Sequence, residues 1–156
     1  MKHIKPYNES KDKFNEDIAY VKMMLIDLAD DGIELQVYGI DYNENRDWTK
    51  GGIIWIKLDC TKRAWSRSIA KGGVYMKWED IDYKIEQVLA MMPNYELYDL
   101  WIKPVRSKSF ILFDSIDEVI PTKYKAFGTS TTERIDTFDP KKSDICNIEV
   151  KLFKKK

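Results

Sequence analysis

The chain holds few groups suited to catalysis: one histidine, His3, two distant cysteines, Cys60 and Cys146, and a scatter of carboxylates. A Ser-His-Asp or Cys-His nucleophile needs a fixed histidine as its base, and His3 lies in a polar terminal segment. Two separated cysteines and one histidine do not make the usual zinc ligand set. Gly51-Gly52 and Gly72-Gly73 are isolated pairs that read as turns and not as a phosphate loop. The sequence thus predicts no metal and no cofactor. Carboxylate chemistry is the one catalytic option left. Glu149-Val150-Lys151 has the acid-x-lysine spacing of one half of a PD-(D/E)xK nuclease site, with Asp136, Asp139 or Asp144 as the further metal-binding acid. There the carboxylates hold a divalent cation and the lysine stabilises developing charge. The same spacing arises on the wet face of any strand, where alternate side chains point the same way.

Binding chemistry is better represented. Between Asp59 and Lys77, five cations (Lys62, Arg63, Arg67, Lys71, Lys77) stand against one acid, with Trp65 and Tyr75 among them. Cations neutralise phosphates and aromatic rings stack on bases, so Lys62, Arg63, Trp65, Arg67 and Lys71 form a candidate nucleic-acid site. Lys103, Arg106 and Lys108 make a second basic cluster. Tyr38, Trp55 and Tyr98 are expected on the helix-free face of a sheet, as in RNA-recognition modules, unless a C-terminal strand and its loop cover them. No segment carries those modules' signature of a basic residue, glycine and alternating aromatics. The whole chain is balanced, with 26 basic and 26 acidic residues, so no global field draws it to nucleic acid or acidic membranes. Five tryptophans, nine tyrosines and six methionines favour protein contact, and open sheet edges favour self-association into a homo-oligomer. The first functional reading is a non-catalytic binding or assembly protein. The alternative is a nucleic-acid-binding module using residues 59–77, and a metal-dependent nuclease comes third.

The elements that must position these residues follow from periodicity. Phe14, Ile18, Val21, Leu25 and Leu28 are spaced four, three, four and three apart, predicting a helix over about 14–30 that Gly32 ends. Ile81, Ile85, Val88 and Met92 repeat the stripe, predicting a second helix over about 80–92 with Asp80 as N-cap and Pro93 as stop. Each helix is followed by an alternating strand (Ile33–Tyr38; from Tyr95) and a more apolar one (Ile53–Leu58; Phe110–Phe113). Helix, strand, strand, twice, predicts an α+β fold: one antiparallel sheet with two helices on one face, in permuted ferredoxin-like order, plus a C-terminal strand over 144–153. The rival reading takes Gly73–Trp78 as a further strand before the second helix, as in double-stranded-RNA-binding domains.

The length fits a single domain over 1–156, with a polar lead-in at 1–12 and a basic tail at 154–156. Residues 59–73 read as a long excursion, Val74, Met76 and Trp78 as a short extra strand, Ser115–Ile120 as a helical turn, and 128–143 as a surface loop. The apolar runs are too short for a bilayer, and the start lacks the apolar stretch of a secretion signal. A cytoplasmic chain with reduced thiols is the expectation. The opening Met1-Lys2-His3-Ile4-Lys5-Pro6-Tyr7-Asn8-Glu9-Ser10 resembles that of small uncharacterised tailed-bacteriophage proteins. The resemblance covers about ten residues and implies a phage setting, in host cytoplasm or virion, without assigning a role to any residue.

Overall fold

The computed structural model describes residues 5–30, 32–40, 52–60, 75–105, 110–125 and 135–155. Helix α1 spans Lys5–Met24 and the short α2 spans Ile26–Asp30. The helix thus begins inside the expected polar lead-in. Pro6 is tolerated there because it falls in the first turn, where its missing N–H has no partner to lose. Between the two helices the Leu25 N–H reaches both Val21 O (3.2 Å) and Lys22 O (3.3 Å), a tightened turn that breaks the expected single rod. Gly32 then takes φ of 93°. Its N–H bonds Ala29 O at 3.0 Å and the Ile33 N–H bonds Leu28 O at 3.1 Å. This is a full Schellman closure, with Leu28 and Ile33 as its buried apolar pair.

Strands β1 (Glu34–Ile40) and β2 (Ile53–Asp59) follow, then α3 (Trp78–Met91). The N-cap of α3 is Lys77, not the expected Asp80, which lies inside the first turn with its N–H on Lys77 O at 3.0 Å. Buried Trp78 anchors that turn, and Glu79 and Asp80 meet the positive end of the helix dipole. Because Trp78 opens a helix, the expected extra strand reduces to one bridge, Met76 to Ile145. Strands β3 (Tyr95–Pro104) and β4 (Ile111–Phe113) come next, then one 3₁₀ turn at Ile116–Glu118 where a helical turn was expected. Strands β5 (Thr122–Lys125) and β6 (Ile135–Phe138) form a separate two-stranded sheet, and β7 (Ile145–Lys154) closes the chain.

The fold is α+β. Its five-stranded sheet runs β1-β2-β7-β3-β4, antiparallel at every pair. The last strand is therefore the central one, and β4 lies at the edge. The register brings Val37, Ile56, Val150, Leu100 and Phe113 into one row and Leu35, Leu58, Ile148, Ile102 and Ile111 into the next. Ile148, Val150, Leu152, Leu100 and Ile102 are fully buried. The three helices cover this face. Phe14 and Ile18 of α1 press on Gly39, and the Phe14 ring fills the space where a Gly52 side chain would begin. Ile81, Ile85 and Val88 of α3 join the same core, as their spacing predicts. Two polar pins add to the packing: Lys84 of α3 pairs with Asp27 of α2, joining two helices, and the Tyr95 hydroxyl of β3 donates to Asp17 of α1 at 2.8 Å, tying helix to sheet.

Residues 128–143 are not simply a surface loop. Strand β6 lies within them, and Phe138 is fully buried with its ring 6.1 Å from Phe113. An apolar ring in a stretch of Thr, Asp and Lys finds the core because exposing it would forfeit about 2–3 kcal/mol of transfer free energy.

Buried proton donors set the pH response of this core. Both cysteines are free and buried. Burial pushes the Cys60 thiol up to about 11 and also raises Cys146. Burial, then the bond to Asp17, raises the Tyr95 hydroxyl. For Lys84, burial works downward but is outweighed by Asp27, so its ammonium is held above the ordinary lysine value. In each case the folded state holds its proton more tightly than the unfolded chain. Their stabilisation is complete below the ordinary thiol value of 9.0 and declines as pH rises above it. Urea midpoints measured from pH 7 to 11 are expected to be flat to about 9 and then to fall, by up to about 1.4 kcal/mol per pH unit per group. Cys60→Ser is expected to shallow that fall, and an unchanged slope in the variant would contradict a buried thiol.

Candidate binding face

The sheet's other face carries no described helix. Its side chains form four cross-strand rows over β1, β2, β7 and β3. One row is Tyr38, Trp55, Lys151 and Asp99, and the next is Gln36, Lys57, Glu149 and Trp101. Glu34, Asp59, Asn147 and Lys103 flank the second row, and Ile40, Ile53, Phe153 and Glu96 flank the first.

Contacts run along and between these rows. The Tyr38 and Trp55 rings lie 5.1 Å apart. The ammonium groups of Lys57 and Lys151 sit 4.4 and 4.6 Å from the Trp55 ring centre. Lys57 pairs with Glu149 at 3.4 Å and Lys151 with Asp99 at 3.7 Å. A hydrogen bond with the Tyr38 hydroxyl is the main influence holding Lys57 above the ordinary lysine value; burial opposes it and Glu149 adds to it.

A β-bulge shapes one end of the face. Leu97 pairs with Leu152 but Asp99 pairs with Lys151, so Tyr98 is an extra residue on β3. The bulge puts Tyr98 and Asp99 on the same side, against strict alternation. The Tyr98 side chain stands 58% exposed with its ring 6.2 Å from Phe153. Trp55, Tyr98 and Phe153 wall a cavity of about 400 Å³, with Ile40 and Ile53 beyond them and Asp99 and Lys151 as its polar groups. Two polar atoms of the lining residues, Trp55 Nε1 and Asp99 Oδ1, are closed to solvent and have no hydrogen-bond partner among the described residues. Each such atom costs about 1–3 kcal/mol against a satisfied one. A second cavity of about 340 Å³ lies between Glu34, Asp59, Lys57 and Glu149. A second bulge, at Cys146 on β7, lies at the far end of the β3–β7 pair, where Lys103 pairs with Asn147 and Pro104 with Ile145. The Cys60 Sγ donates to Cys146 O at 3.1 Å and the Cys146 Sγ to Lys103 O at 3.3 Å.

The expected sites fare differently. Tyr38, Trp55 and Tyr98 share this face, as expected, and β7 does not cover them because it lies within the sheet. Lys62, Arg63, Trp65, Arg67 and Lys71 lie outside the described residues, as do Arg106 and Lys108. Of the excursion, half-buried Tyr75 packs against the core, and Lys77 pairs with Asp144 at 2.7 Å. Among the described side chains, the nuclease acids Asp139, Asp144 and Glu149 form no metal-holding cluster. Glu149 and Lys151 share a face but each pairs elsewhere. Asp139 accepts from the Lys141 N–H in a turn. Asp144 precedes β7 and pairs with Lys77. Among the described residues no group of three or more His, Cys, Asp or Glu is placed to hold a metal ion. No described helix is long and apolar enough to cross a membrane. No protein-family model, curated protein or solved structure matches the chain.

Proposed function

We propose that this is a non-catalytic binding or assembly protein that engages a protein partner, or a second copy of itself, through the helix-free sheet face. The observation that carries the reading is the bulge-built cavity, where three aromatic side chains and two unpartnered polar atoms lie on a face with no described helix over it. Aromatic walls with a few oriented polar groups are the usual make-up of a binding pocket. The phage setting implied by the N-terminal resemblance belongs to the same proposal.

Charge decides between partner classes. The rows hold five carboxylates (Glu34, Asp59, Glu96, Asp99, Glu149) and three lysines (Lys57, Lys103, Lys151). Lys57 and Lys151 are already paired to acids. A phosphate backbone needs cations in excess, which the described residues of this face do not offer, so a protein partner fits better.

The reading predicts a solution mass above the 18.4 kDa of one chain, by self-association or with a co-purified partner. Tyr98→Glu is expected to abolish that excess mass in sedimentation while leaving the melting temperature unchanged, since the residue is exposed. Association that persists in this variant, or a lone chain at every concentration, contradicts the reading. The nucleic-acid alternative predicts salt-sensitive retention on immobilised DNA or RNA that Arg63→Glu with Arg67→Glu weakens. Equal retention by that double variant removes it.

A further inference from the structure

We infer that the cavity beside the Tyr98 bulge accepts an arginine side chain presented by the partner, an inference that rests on the sheet face being the interface. Asp99 is the key group. Its Oδ2 meets the Lys151 ammonium at a loose 3.7 Å, and its Oδ1 has no partner among the described residues and is closed to solvent, so both oxygens open to a guest only when Lys151 swings away. A half-used carboxylate suits a guanidinium, whose planar fork spans both oxygens where an ammonium meets one. The walls suit it equally: Trp55, Tyr98 and Phe153 are aromatic, and guanidinium planes stack on such faces. The volume of about 400 Å³ admits one long side chain with its head group.

Lys151 is then a resident stand-in for the guest. Its ammonium makes in miniature the two contacts that an arginine would make, 4.6 Å from the Trp55 ring and 3.7 Å from Asp99. An incoming arginine displaces it, and the freed lysine turns toward solvent on its flexible stem. The role of Lys151 is thus to keep Asp99 paired in the empty cavity and to weaken binding by competition. This gives the proposal an unusual sign: removing a cation from the site should tighten the binding of a cation.

The test uses the full chain and titrates Nα-acetyl-arginine methylamide while following the Trp55 indole N–H resonance, assigned by its loss in Trp55→Phe. The neutral citrulline analogue is the matched control. Saturable movement with arginine is expected, with citrulline weaker by about tenfold or more. Asp99→Asn is expected to erase that preference, Tyr98→Ala to weaken arginine binding without unfolding, and Lys151→Met to tighten it severalfold. Equal binding of arginine and citrulline, no saturable shift, or weaker arginine binding in Lys151→Met each overturns the inference. If association through the face is lost in Tyr98→Glu yet arginine does not bind, only the guest's identity falls. If arginine binds but association ignores Tyr98→Glu, the cavity stands and the interface reading falls.

Discussion

Phe138→Ala is expected to destabilise the protein by about 3–5 kcal/mol, the usual range for truncating a buried aromatic ring. The ring is completely buried, and Phe113, whose ring lies 6.1 Å away, belongs to edge strand β4. Phe138 therefore fastens the β5–β6 hairpin to the main sheet, and its loss leaves a cavity lined by groups from both. Thermal unfolding should move down by about 2–4 °C for each kcal/mol lost. A hairpin that merely hung from the surface would give the small effect typical of exposed positions, within about 0.5 kcal/mol. A shift that small would show that the second sheet is not part of the core.

Leu152→Ala carries the second large effect, about 2–5 kcal/mol. Leu152 lies on the central strand, opposite Ile54 on one side and Leu97 on the other, and is fully buried. A C-terminal strand added at a sheet edge would have one neighbour and one wet flank, and its truncation would stay near the low end for core residues. The central placement leaves the cavity walled by β2, β3 and the helices, with little room to collapse. Chemical denaturation of Leu152→Ala beside Leu112→Ala, an exposed site on edge strand β4, separates the two cases. Similar losses at both positions would contradict β7 as the keel of the sheet.

Much of this architecture was legible because burial writes a period into the chain. The stripe Ile81, Ile85, Val88, Met92 is buried throughout, and so are Phe14, Val21, Leu25 and Leu28. Strand alternation told equally well, and it even recorded the bulges. On β3 the inward series Tyr95, Leu97 resumes at Leu100 and Ile102, and on β7 it steps from Ile145 to Ile148. Each odd step is a phase slip, and the extra residues fall at Tyr98 and Cys146. Those slips were the available signal for the cavity, since only a slip puts Tyr98 and Asp99 side by side.

Other features left no local trace. Nothing in Ile145–Lys154 states that it pairs on both edges, because a strand's neighbours are chosen by long-range closure and not by its own composition. Strand β6 is four residues long, too short for a period to show, and its one strong mark is Phe138 amid polar residues. Of the site, Tyr38, Trp55 and Tyr98 were readable as exposed aromatics. Lys151 was readable only as half of an acid-x-lysine pair; its partnership with Asp99 comes from cross-strand register. The helix start at Lys5 left no local trace, since Pro6, Asn8, Ser10 and Asp12 are weak helix formers and the segment has no apolar stripe.

Side-chain footprinting by hydroxyl radicals tests the binding face most directly. Tyr98 and Leu112, on that face, are 58% and 49% exposed, while Tyr83 and Met91 of α3 are 55% and 52% exposed. The two pairs start equally open to attack, so each calibrates the other. In the associated protein, compared with the isolated chain, Tyr98 should be strongly protected while Tyr83 and Met91 keep reacting. Protection of Tyr83 and Met91 with Tyr98 still fully reactive would place the interface on the helices and contradict the account.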